Sequence, residues 1–192
     1  LMNVLRKQRD SFGLTLFDDE IRVNTHCKSS TMHYRLLLSQ LSDRIEHPQL
    51  NRPTDLAASL HLVAESIHRR SLVVIFTDVM EHPEQAEALF SALQHLRHNK
   101  HEVILFHVTD KKHELDFEFE NRPYIFVDME SGEQVRLQPN QVKEFYTKQV
   151  NTFKDQLKLR CLQFKIDFVE ADINQGFYPI LQTWMAKRAK MG

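Results

Sequence analysis

Hydrophobic positions along the chain recur with two different periods. From about Thr31 to Glu46, Leu37, Leu38, Leu41 and Ile45 fall at helical spacing, and the run stops before Pro48. Pro53-Thr54-Asp55 opens a second helical stretch with Leu56, Leu60, Val63, Ala64 and Ile67 on one face, and Thr54 reads as its N-cap. Glu84 to Asn99 is a third, with Ala86, Leu89, Phe90, Leu93 and Leu96 as its stripe. Between them lie short apolar runs. Phe12 to Phe17 reads as a strand closing in a turn at Asp18-Asp19. Leu72-Val73-Val74-Ile75-Phe76 and Val103 to Val108 are β-rich and almost uniformly apolar, the pattern of strands covered on both faces. From Phe12 on, the order β, α, α, β, α, β predicts an α/β domain with a mostly parallel sheet.

Downstream the pattern changes. Asp116-Phe117-Glu118-Phe119-Glu120 alternates, and Tyr124–Val127 and Gln134–Leu137 flank a Ser131-Gly132 turn, which predicts a β-hairpin insertion near residues 116–137. A long helix follows from Pro139 to Lys165, then a strand from Ile166 to Ala171. A terminal helix from Phe177 to Lys190 is anchored by Ile180, Leu181 and Trp184. No repeat or linker interrupts the 192 residues, so one domain is expected across 1–192. The first residues, Leu1 to Arg9, read as the last turns of a helix already in progress, as in a chain that begins part-way into its domain.

Composition narrows the function classes. Lys and Arg number 25 against 26 Asp and Glu, a net charge of -1, which argues against nucleic acid held by phosphate neutralisation. No apolar run approaches the ~18 residues of a membrane span. Four glycines cannot supply a phosphate-binding Gly-rich loop. Cys27 and Cys161 stand far apart with no C-x-x-C, and with no signal-peptide core at the start a reducing, cytoplasmic setting is expected. Of 11 histidines, His95, His98 and His101 step by three; His95 and His98 at i, i+3 on a helix could bind a stray transition metal, but the favoured reading is a solvated helix face.

Ligand crevices of open parallel sheets lie beyond the carboxyl ends of the strands. Asp18/Asp19, Asp78 and Asp110 fall at such ends, with Asp172 as a fourth and Thr54 near the same edge. Their oxygens suit a hard cation such as Mg²⁺. Acidic residues after strands are also ordinary caps and turn formers.

Asp10-Ser11-Phe12-Gly13-Leu14-Thr15-Leu16-Phe17 resembles the D-x-x-G-L-x-x-F strand of von Willebrand factor type A (vWA) domains. Pro53-Thr54-Asp55-Leu56 with Leu60 resembles their T-x-L-x-x-A-L segment, and Leu72 to Asp78 their strand ending in Ser/Thr-Asp. The motif order and the later hairpin are more narrowly similar to a bacterial branch, domain of unknown function fifty-eight, often encoded beside MoxR-type AAA+ ATPases. The resemblance implies a Rossmann-like three-layer fold. It also implies a metal-ion-dependent adhesion site in which Thr54 and Asp78 hold Mg²⁺ or a similar divalent cation, with a partner's carboxylate completing the coordination. The family's Asp-x-Ser-x-Ser is absent from this chain, so the ligand set is incomplete here. The central strand that carries that motif would be missing with it, exposing two strand edges.

The expected function is a non-enzymatic protein-interaction domain, metal-dependent in the full-length protein, working with a MoxR-type ATPase in complex assembly or maturation. Two alternatives stay open. One is a small metal-dependent α/β hydrolase or phosphatase-like enzyme built on Asp78, although no G-x-S-x-G is present. The other is a metal-free scaffold.

Overall fold

The computed structural model describes residues 1–48, 54–80, 83–128 and 131–189. Pro53, Glu130 and Lys190, which the sequence reading places in a helix start, a turn and a helix end, lie outside them. The chain divides into two compact units, Leu1–Ser59 with Val127–Gln134 and Leu60–Phe126 with Val135–Gly192.

The first unit begins with helix α1 (Met2–Gln8) and an antiparallel pair, β1 (Thr15–Phe17) and β2 (Ile21–Asn24), in register Thr15↔Asn24 and Leu16↔Val23. Close approach fixes Gly13. A Cβ there would sit 2.5 Å from the Thr25 carbonyl oxygen, so any side chain would force the two segments apart. Helix α2 (Thr31–Glu46) starts where predicted, because the Ser30 hydroxyl accepts the His33 N–H at 3.2 Å. His33 then donates through Nε2 to the Phe12 carbonyl at 2.9 Å, tying the helix to the segment ahead of β1, and Leu37 is fully buried. Leu38 and Ile45 of the predicted stripe are exposed.

Helix α3 (Leu56–Ser66) begins in the first unit and runs into the second. The second unit is built on a parallel sheet ordered β3 (Leu72–Thr77), β4 (Glu102–Thr109), β7 (Asp167–Asp172). Helices α4 (Pro83–His98), α5 (Pro139–Gln163) and α6 (Phe177–Ala189) flank it, in the layered Rossmann-like manner expected. β4 is central, and Val103 through His107 are all buried. Leu89, Ala92, Leu93 and Leu96 of α4, and Phe153, Leu157 and Cys161 of α5, complete the core. Each large side chain so buried contributes about 1.5–3 kcal/mol. Trp184 of α6 is buried with its ring edge-on to Phe106 at 6.1 Å, a core anchor.

Two expectations are corrected. The apolar run of β3 is not covered on both faces, since Ile75 is buried but Phe76 is 55% exposed; β3 also has a strand neighbour on one side alone among the described residues. Residues 116–120 form no strand either. A turn of π-helix (Lys111–Leu115) leads into irregular chain, and the alternation there serves to bury Phe117 and half-bury Phe119 in an aromatic cluster with Phe126 and Tyr146. The hairpin is shorter than predicted, β5 (Tyr124–Val127) with β6 (Gln134–Leu137). Its end is closed by the Asp128 N–H on the Glu133 carbonyl at 2.8 Å and by Gly132 at φ 76°, a left-handed angle that glycine takes without strain.

Both cysteines are free thiols. Cys27 is exposed, and Cys161 is buried in α5, where burial pushes its thiol up to about 12. Among the described residues no helix is long and apolar enough to cross a membrane.

Candidate functional site

Because β3, β4 and β7 are parallel, the residues that end them leave the same end of the sheet. Asp78 follows β3, Asp110 follows β4, and Asp172 is the last residue of β7, opposite Thr109. The structure treats the three carboxylates differently.

Asp110 and Asp172 are engaged with each other's strands. Asn174 donates its amide to both, at 2.9 Å each. Asp110 also accepts from His113 Nδ1 at 2.7 Å and from the His113 N–H at 3.2 Å, while Asp172 accepts the Lys111 N–H at 3.3 Å. The His113 side chain holds the Asp110 carboxyl down to about 2. Partial burial works to raise Asp172, but the Asn174 and Lys111 hydrogen bonds carry it below the ordinary value. This is a clasp between the ends of β4 and β7, with Asp110 capping the π-turn.

Asp78 is exposed on a short loop pinned at the residue that follows it. The Thr77 hydroxyl accepts the Val79 N–H at 3.2 Å, and His107 Nε2 lies 3.0 Å from the Val79 carbonyl. A carbonyl can only accept, so that nitrogen carries the proton. Burial lowers the pKa of His107 despite the nearby Asp78 charge, which keeps the imidazole neutral. Among the described residues no hydrogen bond or ion pair engages the Asp78 carboxylate. It is the carboxylate of this edge left available to a ligand.

The other sequence candidates lie in the first unit. Asp18 and Asp19 turn the chain from β1 to β2 and grip Arg22, whose Nε sits 2.7 Å and 2.9 Å from the two Asp18 oxygens and whose Nη2 sits 2.5 Å from Asp19. That guanidinium holds Asp18 well below the usual carboxylate range. Thr54 is exposed just ahead of α3. The cap is its neighbour, since Asp55 Oδ1 accepts the Ala58 N–H at 2.8 Å and the Asp55 N–H donates to the Asp18 carbonyl at 3.1 Å. Thr54 therefore belongs to the first unit and Asp78 to the second. No group of three or more His, Cys, Asp or Glu side chains stands ready for a metal among the described residues.

Residues 1–156 match the family described as "Protein of unknown function DUF58". The chain belongs to the DUF58 family. Neither a curated protein nor a solved structure matches it. In this DUF58 chain the matched segment takes in Thr54, Asp78 and Asp110 and ends within α5, before β7 and Asp172. The residue that sequence reasoning passed over is His107. Its signal was present as the one ring nitrogen pair within an apolar strand, but its purpose depends on where the loop after β3 crosses it. A second feature of the DUF58 chain is an apolar cavity of ≈ 380 Å³ against the hairpin, lined by Phe117, Phe126, Val135, Leu137, Val142 and Phe145 among others.

Proposed function

We propose that this DUF58 chain is a non-enzymatic, vWA-like protein-interaction domain that uses Asp78 to hold a hard divalent cation, Mg²⁺ or similar, with Thr54 as a second oxygen donor. A partner carboxylate completes the coordination, and a MoxR-type AAA+ ATPase acting in complex assembly or maturation is the partner class. The observation that carries the reading is the pinned loop of Asp78. A carboxylate held at the end of a parallel strand, with its oxygens unengaged among the described residues, suits an ion that takes one or two carboxylates and keeps several waters. Calorimetric Mg²⁺ titration tests it. Binding is expected to disappear in Asp78→Ala, to weaken in Thr54→Ala and to persist in Asp110→Asn; equal binding by wild type and Asp78→Ala overturns the reading. If partner capture survives chelation, the domain is a metal-free scaffold.

The hydrolase reading keeps one observation in its favour, the Asp110–His113 pair at 2.7 Å, in which a carboxylate orients an imidazole as catalytic bases require. Turnover of phosphatase or esterase substrates with added Mg²⁺ or Mn²⁺, lost in both Asp78→Ala and His113→Ala, would favour the enzyme.

A further inference from the structure

Helices α3 and α4 meet through two imidazoles. His61 Nδ1 lies 2.9 Å from His95 Nδ1, both side chains half-buried. The helices that carry them are anchored on their inner faces by Leu60, Val63 and Ala64 on one side and Leu93 and Leu96 on the other. One turn beyond His95, the Asn99 amide donates to the Ala64 carbonyl at 2.8 Å, which holds the two helices in the same register. The His95–His98 spacing singled out in the sequence is therefore not the relevant pair: His98 is exposed, and the partner of His95 comes from another helix.

The ring centroids are 5.2 Å apart, close to the largest separation a 2.9 Å nitrogen contact permits, so each Nδ1 points at the other. Such a pair shares one proton, and at least one nitrogen must offer a lone pair. Among the described residues no carboxylate forms a hydrogen bond or ion pair with either ring. Neutral imidazole is the form that binds metal. The spacing suits a metal too. At nitrogen–metal distances of about 2.0–2.1 Å, adjacent corners of a square or octahedral site lie roughly 2.9 Å apart, whereas tetrahedral corners are wider. Histidine χ2 is a broad torsion, and a turn of each lone pair by about 45° off the line between the nitrogens directs both at a common point.

We infer that His61 and His95 form a site for a first-row divalent cation of the Ni²⁺ or Cu²⁺ class, which takes both Nδ1 lone pairs and clamps α3 to α4, the proton between them passing to the open Nε2 of the ring that carried it. Water fills the remaining positions. The site is independent of the hard-cation reading at Asp78, because imidazole pairs favour borderline ions over Mg²⁺.

Calorimetric titration of the chelator-treated chain with Ni²⁺ at pH 7.5 tests it, with circular dichroism confirming that each variant is folded. His61→Gln and His95→Gln, which retain a polar side chain in each place, are each expected to remove one ion per chain or to weaken that ion at least tenfold. His98→Gln is expected to leave it unchanged, and wild-type affinity is expected to fall as pH is lowered from 7.5 to 5.5. Absence of Ni²⁺ binding, retention of every bound ion in both His61→Gln and His95→Gln, or an equal loss in His98→Gln overturns the inference.

Discussion

Phe117 holds a left-handed backbone angle, φ 48°, while its ring is buried. A bulky residue in that region is strained by about 1–3 kcal/mol and persists only where packing over-determines it. Here Tyr146, Phe119 and Phe126 supply the packing, with centroids at 4.5, 4.9 and 5.8 Å. Removing the ring in Phe117→Ala is expected to cost about 3–5 kcal/mol in denaturant unfolding. Phe117→Gly loses the same ring but relieves the backbone, so it should be the more stable of the two by about 1 kcal/mol. The opposite order would show that the angle carries no strain. His107 gives a second prediction at this scale. Burial lowers its folded pKa, so between that value and the ordinary value near 6.5 the unfolded chain binds the extra proton. Stability should therefore rise with pH through this window and fall as pH is lowered below about 6.5, by at most ~1.4 kcal/mol per pH unit from this residue. His107→Gln should flatten the slope in urea titrations at pH 7.5, 6.5 and 5.5.

Among the elements, α3 offers the cleanest test of a boundary. Its cap is the Asp55 carboxylate, so Asp55→Ala should cost about 1 kcal/mol and Thr54→Ala no more than about 0.5 kcal/mol. A reversed ranking would return the cap to Thr54. The one-residue error in reading this start has a physical origin, since threonine and aspartate side by side both satisfy the capping pattern. Long elements were legible because burial imposes their period: α2 spans Thr31–Glu46 as predicted, and α4, β4, α5 and β7 fall within a residue or two of expectation. β2 escaped notice because Ile21-Arg22-Val23-Asn24 has two apolar residues and takes its identity from its partner. Residues 116–120 misled for the converse reason: a turning chain that buries aromatic side chains produces the same alternation as a strand. At the candidate site, Asp78 was legible from its place after β3. The bridging of Asp110 and Asp172 by Asn174, and the pairing of His61 with His95, were not, because they depend on how elements far apart in sequence are registered in space.

At the scale of the whole molecule, net charge and the open sheet act together. With a charge of -1 the chain has little electrostatic self-repulsion near neutral pH, and β3 presents Phe76 and Leu72 on an outer strand of its sheet. Light scattering is expected to show the strongest self-association near pH 7 and a marked decrease at pH 8.5, where the chain is more negative; Phe76→Lys should reduce it at both. Indifference to pH and to that substitution would exclude the sheet edge as its cause. The clasp at the carboxyl end of β4 has its own pH signature. Because Asp110 is held at about 2, its contribution is present above the ordinary carboxylate value and lost as pH falls from about 4 towards 2. Asp110→Asn should blunt acid unfolding in that interval.

The two thiols make the molecule its own clock. Cys27, exposed in the first unit, should react with a thiol reagent in the fast phase. Cys161, sealed in α5 with its thiolate form suppressed, can react only during excursions that lift the helix from its core. The slow phase of labelling therefore times the opening of the second unit alone, under native conditions and with no probe added to the chain.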